Sequence, residues 1–367
     1  MNDDLKPIWL AVKAAGGACY YYGDTLRDYL LKRPIPELHV ALYHMPLYLL
    51  DPILKDMEFE YILFPGRIEL SHGQTMYMIS EMSDRLEAHT NLSDPLDFTI
   101  NGIYCDCATD VVYDPHGGVS DIKNKLLKID KNGLLDQPIR MIQAARLGAE
   151  LGFTLSVETW FSIYELAIGI KHVSPQEIRL ELDKILRLSK PSIAFKLLQS
   201  TRILEYLLPE LAACETIIQN KRAGVHNVFD HTMYALDAAH PDPAIKMTML
   251  FHDIAKPQTI EYSDDGKIHF FRHDVVGARI AKTYLKAWGY DKDFINKVST
   301  LITHHMFDAA PNITDKAVRR LIKKVGKEHI YDLLLVREAD RLGSPEKISM
   351  KKVRSIRKKI DKEIVNL

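Results

Sequence analysis

The 367-residue sequence has no apolar run long enough to cross a bilayer, which excludes a helical membrane span. Cysteine is scarce: Cys19, Cys105, Cys107 and Cys214 lack zinc-site spacing and suggest no disulfide framework. Cys105 and Cys107, two residues apart, fit one face of a strand as small core residues. Net charge is nearly absent, at −1 with a pI of about 7.0, so no global field draws the chain to nucleic acid or an anionic membrane. Two local basic runs, Lys316 to Lys327 and Lys347 to Lys362, are either solvated helix faces or a track for a phosphate backbone. Low-complexity linkers are missing too. The opening MNDDLKPIWL is acidic and short of the apolar segment of a signal peptide, and the expected compartment is a reducing cytoplasm. What remains is ordinary globular composition, with length for two or three domains.

The stretch Val225 to Pro257, VHNVFDHTMYALDAAHPDPAIKMTMLFHDIAKP, organises the C-terminal third. It places His231 on one helix and the pair His252-Asp253 near the end of the next. Asp242-Pro243 fits an N-cap and first helical residue, and Pro257 is expected to end that second helix. A His-Asp pair closing an apolar run (Met247, Met249, Leu250, Phe251) is costly to bury unless both groups are satisfied, and a metal ion satisfies both. Gln258 to Phe271 reads as a hairpin around Asp264-Asp265-Gly266, and His273 opens the helix after it. Phe294, Val298, Leu301 and His305 recur at i, i+4, i+7 and i+11. His305 therefore lies on an inward stripe, whereas His304 falls on a polar side, facing solvent or substrate. Asp340 shares an inward face with Leu333 and Val336.

This ordered set resembles the HD superfamily of metal-dependent phosphohydrolases across roughly residues 222–345. The resemblance implies that His231, His252, Asp253 and Asp340 hold one metal, that His273 and His305 complete a second, and that Asp253 bridges them. Mixed His and carboxylate ligands suit Mn, Fe, Co, Ni or Zn better than Mg. His252, Asp253 and Lys256 are the expected catalytic group, Lys256 being either a phosphate holder or a surface lysine. His269 is either a solvent-facing strand residue or a substrate contact, and His226 is equally open.

In the N-terminal third, Tyr20-Tyr21-Tyr22-Gly23-Asp24-Thr25-Leu26-Arg27-Asp28 reads as a strand, a glycine turn and a helix start, which can offer N–H groups to phosphate. Glu37-Leu38-His39 follows, then Asp97-Phe98-Thr99-Ile100-Asn101-Gly102, Asp114-Pro115-His116-Gly117-Gly118 and Asp121-Ile122-Lys123. In order and spacing these motifs resemble the class II tRNA nucleotidyltransferase and poly(A) polymerase family across residues 18–210. The site that the resemblance implies comprises Gly23, Arg27, Asp28, Glu37, His39, Asp97, Asn101 and Arg140.

Nucleotidyl transfer needs two carboxylates, one residue apart on a strand face, aimed at magnesium ions. The family's Asp-x-Asp falls on Glu37-Leu38-His39. Glu37 can take Mg²⁺, but His39 is a poor partner for a hard cation. The family's glycine pair is Gly23-Asp24 here, its Arg-Arg-Asp is Pro95-Leu96-Asp97, and its Glu-Asp-x-x-Arg is Asp136-Gln137-Pro138-Ile139-Arg140. All four changes weaken metal or triphosphate binding, so the head is expected to be a retired transferase. Arg27, Asp97, Asn101 and Arg140 remain to cradle a nucleotide or an RNA end.

From Pro138 the texture turns helical. Met141, Ala144, Ala145, Gly148 and Leu151 fall at helical spacing before Gly152, and Ser174-Pro175-Gln176-Glu177 is a capping box. This segment resembles the family's neck. The expected fold is α+β and mostly helical: an α/β nucleotidyltransferase-like head (1–132), a helical neck (133–221) and an all-α HD domain with a small β-hairpin insertion (222–367). The expected function is hydrolysis of a nucleotide or RNA-end phosphoester, a cyclic phosphodiester or phosphomonoester, by two transition-metal ions in the HD domain. The alternatives are a live CCA-adding or poly(A)-type transferase, with Mg²⁺ in the head, and a non-catalytic RNA- or nucleotide-binding regulator. The partner is a nucleotide or RNA end, a tRNA among the candidates, with no membrane involved. Oligomeric state is left open.

Overall fold

Short alternating runs in the N-terminal third pair into a seven-stranded sheet: β1 (Ala18–Tyr22), β2 (Glu37–Tyr43), β3 (Glu60–Phe64), β4 (Arg67–His72), β5 (Thr75–Glu81), β6 (Tyr104–Asp106) and β7 (Val112–Tyr113). Their order is β3-β4-β5-β2-β1-β6-β7, antiparallel except for the parallel pair β2 and β5. The computed structural model describes residues 5–82, 97–220, 226–264, 267–308, 313–343 and 350–365. Pro95, Leu96, the Asp265-Gly266 turn and Lys347 lie outside them, as does the His226 side chain. The chain forms two compact units, residues 1–137 with 151–162, and residues 138–150 with 163–367.

In the first unit β2 is the middle strand. Val40, Ala41, Leu42 and Tyr43 are all buried, which a strand covered on both faces requires, while Glu37 at its start is exposed. Around the sheet lie α1 (Lys6–Ala14), α2 (Asp24–Leu30), α3 (Leu47–Asp56), α4 (Gly118–Asn124) and α5 (Lys131–Asp136). A parallel pair, β8 (Leu126–Leu127) and β9 (Thr154–Leu155), also belongs to this unit. Asp114 accepts the N–H groups of Gly118 and Val119 at 2.7 and 3.0 Å, capping α4. The helix starts against the Thr99 backbone: a Cβ at position 118 would stand 2.1 Å from the Thr99 carbonyl oxygen.

The second unit is helical: α6 (Arg140–Leu151), α7 (Val157–Leu166, which begins in the first unit), α8 (Pro175–Leu186), α9 (Pro191–Ser200), α10 (Ile203–Leu207) and α11 (Pro209–Ala213). The capping box forms at α8, where the Ser174 hydroxyl accepts the Glu177 N–H and the Glu177 carboxylate accepts the Ser174 N–H. After a short pair, β10 (Ile218–Asn220) and β11 (His226–Asn227), come α12 (Val228–Ala238) and α13 (Pro243–Phe251). The hairpin is β12 (Ile260–Tyr262) with β13 (Ile268–Phe270), followed by α14 (His273–Ala287), α15 (Lys292–His304), α16 (Asp315–Val325), α17 (Ile330–Leu342) and α18 (Lys351–Val365). Every residue of α13 after Pro243 is buried, even Lys246, whose ammonium donates to the Leu236 carbonyl at 2.7 Å. A helix enclosed on all sides is a rigid post, and it ends at the His252-Asp253 pair.

Pro257 does not end α13. The helix stops at Phe251, and Pro257 sits in a short 3₁₀ turn over Lys256–Gln258. His252 Nδ1 donates to the Met249 carbonyl at 2.8 Å, and that carbonyl is the acceptor the Asp253 N–H would need to continue the helix. No helix among the described residues is long and apolar enough to cross a membrane.

Gly118→Ala should destabilise the protein by about 3 kcal/mol, since the new methyl meets a backbone oxygen that cannot rotate away. A midpoint in urea unchanged from wild type would show that α4 can shift freely.

Candidate metal centre and head site

Four helices and one turn aim the HD-type side chains at one point. His231 comes from α12, His252 and Asp253 from the turn after α13, His273 from the start of α14, His305 from the end of α15, and Asp340 from α17. All six are buried. Ligand atoms of His231, His252 and Asp340 lie within 4.8 Å of one another, and so do those of Asp253, His273 and His305. Asp253 faces both groups: its Oδ2 is 3.4 Å from His231 Nε2 and 3.2 Å from His252 Nε2. Its Oδ1 is 3.5 Å from His273 Nε2 and 3.9 Å from His305 Nε2. Asp340 Oδ1 stands 3.0 Å from His231 Nε2.

The hydrogen bonds behind the rings decide which nitrogen faces the centre. Nδ1 of His252, His273 and His305 donates to the carbonyls of Met249, Phe270 and Ile302, at 2.8, 2.8 and 2.7 Å. In a neutral ring so bonded, Nε2 carries the lone pair. His273 Nε2 and His305 Nε2 then point lone pairs at each other across 3.3 Å, an arrangement that a cation between them satisfies. This donor set of nitrogen and carboxylate oxygen fits divalent transition ions. Burial and the carboxylates pull the rings in opposite directions: the carboxylates favour a proton on His252, which a bound cation would displace, and burial keeps His305 neutral. Burial opposes a charged His252, yet Asp253 and then Asp340 push it up to about 10. Burial, helped by the charge on His252, pushes His305 down to about 4. Burial favours a protonated Asp253, but His252 and Lys256 hold it well below the usual carboxylate range.

Lys256 is neither a surface lysine nor turned outward. It is buried, with Nζ 2.6 Å from Asp253 Oδ2 and 5.2 Å from the Phe270 ring centroid. His269 is half-buried and stacked on Phe271. His304 belongs to neither group and lines a cavity beside α16.

A supporting layer escaped the sequence. Asp308 is fully enclosed, with Oδ2 accepting from Arg341 at 2.6 Å and Oδ1 2.7 Å from Arg337 Nε, an ionic contact rather than an aligned hydrogen bond. Arg337 also pairs with Oδ2 of Asp340, and Lys352 of α18 donates to the Asp308 carbonyl. Arg337 and Arg341 lie three before and one after Asp340 on α17, a spacing that looks like an ordinary charged helix face. Gly343 lets α17 close on α12: a Cβ there would be 2.9 Å from the His231 carbonyl oxygen.

In the head, Gly23 at φ +67° turns β1 into α2, and Thr25 Oγ1 accepts the His39 N–H at 2.8 Å, tying that turn to β2. Glu37 and His39, two apart on β2, share a face. Asp24 Oδ1 lies 3.8 Å from His39 Nε2. Arg27 is buried and donates to both oxygens of Asp28, at 2.9 and 3.0 Å, and to Asn101 Oδ1 at 3.1 Å. The Asn101 amide reaches Asp97 Oδ2 at 3.3 Å. Arg140 belongs to the second unit, where it is buried. Among the described residues, no group of three potential ligands within 4.8 Å forms in the head.

Three family models match the chain: "Poly A polymerase head domain" over residues 19–128, "Probable RNA and SrmB- binding site of polymerase A" over 152–215, and "HD domain" over 229–344. An A-adding tRNA nucleotidyltransferase of Deinococcus radiodurans is 31% identical over 68% of the chain and 60% of its own length. A multifunctional CCA protein of Xanthomonas campestris pv. campestris is 29% identical over 68% of the chain and 65% of its own length. The match thus spans less than two thirds of these curated relatives. Among solved structures, a CCA-adding enzyme with ATP superposes with a TM-score of 0.69 at 16% identity, covering 99% of the chain and 82% of that protein. A Bacillus stearothermophilus CCA-adding enzyme in complex with CTP gives 0.66 at 19% identity, covering 99% and 83%. At such identities the likeness is one of fold.

These comparisons overturn the expected division of labour, a retired head beside a hydrolysing HD domain. One relative is named an A-adding tRNA nucleotidyltransferase, and the solved neighbours are named CCA-adding enzymes.

Asp308→Ala removes the buried carboxylate that Arg341 and Arg337 share, leaving Arg337 with the Asp340 carboxylate, and should cost about 3 kcal/mol of stability, measured by chemical denaturation. A loss under 1 kcal/mol would mean that water already carries those charges.

Proposed function

We propose, because the chain belongs to the tRNA nucleotidyltransferase and poly(A) polymerase family with an HD domain attached, that it adds nucleotides to the 3′ end of an RNA, tRNA being the substrate that the name of the Deinococcus radiodurans relative gives. The observation that carries this is the placement of Asp24. His39 removes one of the two carboxylates that nucleotidyl transfer needs, but Asp24 Oδ1 lies 3.8 Å from Nε2 of His39, which shares its strand face with Glu37. Glu37 and Asp24 together offer hard oxygen ligands from two elements instead of one strand.

Magnesium held there would supply charge neutralisation on the triphosphate and a more acidic 3′-hydroxyl on the acceptor. The protein's own groups position the substrate. Three of the five Arg27 N–H groups are engaged by Asp28 and Asn101, so it braces the site. Asn101, held by Arg27, in turn holds the Asp97 carboxylate through its side-chain amide. The turn at Gly23 presents the first N–H groups of α2 to phosphate, although the Asp24 carboxylate there favours a metal-neutralised triphosphate over a bare one.

We also propose that His231, His252, Asp253, His273, His305 and Asp340 hold two divalent transition ions in the HD domain. The lone-pair geometry between His273 and His305 supports that assignment.

Incorporation of labelled ATP or CTP into a tRNA transcript should be detectable with wild type. It should fall by two or more orders of magnitude in Glu37→Ala and by at least about tenfold in Asp24→Ala, as expected for loss of metal ligands. No incorporation by wild type with Mg²⁺ or Mn²⁺ would sink the transferase. Elemental analysis of purified protein should find up to two transition ions per chain, and fewer than half as many in His305→Ala. Equal metal in both would reject the proposed ligands.

A further inference from the structure

Outside both centres, a cavity of about 420 Å³ opens between the start of α14, the end of α15 and the outer side of α16. Met306 and Phe307 give it an apolar wall. Arg320 and Lys324, one turn apart on α16, line it with the His304 imidazole, and among the described residues Asp274 is the one carboxylate of the lining. None of the six candidate metal ligands borders it. Arg320 and Lys324 are exposed, and neither forms an ion pair among the described residues. Two like charges at i and i+4 destabilise a helix slightly, and an anion between them removes that repulsion. The volume is that of a site for a small organic ligand, and the walls divide it into an apolar part and a cationic part.

We propose that this cavity binds a nucleotide unit, with its base or sugar against Phe307 and Met306 and its phosphate between Arg320 and Lys324. An aromatic ring offers a base a stacking partner, and a guanidinium offers phosphate a two-pronged donor. The unit is either a free nucleotide or one residue of an RNA strand, since both present the same base, sugar and phosphate. The site is separate from the transferase proposed for the head and does not rest on it.

The full-length protein is irradiated with 8-azido-AMP, and labelled peptides are identified by mass spectrometry. Calorimetry with AMP runs in parallel. Label is expected on the segment from His304 to Lys324, in the Glu37→Ala chain as in wild type. Arg320→Glu with Lys324→Glu, both on an exposed helix face, should weaken AMP binding by about tenfold or more. Competition separates the sources: suppression by unmodified AMP supports a free nucleotide, and suppression by short oligoadenylate but not AMP supports a strand. The proposal is overturned if label falls only on other segments with no AMP binding by calorimetry, or if the double variant, checked for an unchanged melting temperature, binds AMP as wild type does.

Discussion

Asp253 is a carboxylate enclosed in protein, approached by five side chains from separate parts of the HD domain, and much of that domain's packing follows from having to satisfy it. Burying a carboxylate costs several kcal/mol unless hydrogen bonds and opposite charge offset the loss of water. His231, His252 and Lys256 crowd one of its oxygens, and His273 and His305 face the other. To bring that many groups to one residue, α13 must be held rigidly enough to aim it, hence a helix buried along its whole length. The elements around it must then approach closely, as α17 does at Gly343, where no side chain stands between it and α12.

The head meets a similar demand with smaller means. Arg27 is buried, and its charge is matched by the adjacent Asp28, so the guanidinium is neutralised by its own helix. Asp121 is likewise satisfied by the Thr99 hydroxyl and the Lys128 ammonium, at 2.7 Å each. The segment carrying Asn101 and the helix beginning at Gly118 are thereby locked to each other and against α2. These local balances fix the polar side chains there without a large enclosed network.

The six candidate ligands were legible in the sequence because they are chemically distinctive and because His305 and Asp340 fall on apolar helical stripes. Asp308, Arg337 and Arg341 were not, since charges at helical spacing on a polar sequence look like solvated faces. Only the fold shows that they converge. The end of α13 was misplaced at Pro257 because a backbone rule was applied where a side chain, His252, had already claimed the carbonyl. In the head, the motifs identified the fold correctly, but each departure was judged along its own strand or turn. Asp24 counted there as a charge added beside the phosphates. In space it stands next to His39, and a closeness between two elements leaves no trace in the spacing of either.

Three imidazoles of the centre each bond the backbone carbonyl three positions before them: His252 takes Met249, His273 takes Phe270, and His305 takes Ile302. The ring's tautomer and bearing are therefore settled inside a four-residue segment, not by distant partners. Assembly of the centre has only to bring ready-aimed units together, without sorting ring flips once the interior has closed. Unloading an ion would leave those rings pointing where they were, so exchange of one ion for another need not disturb the surrounding helices.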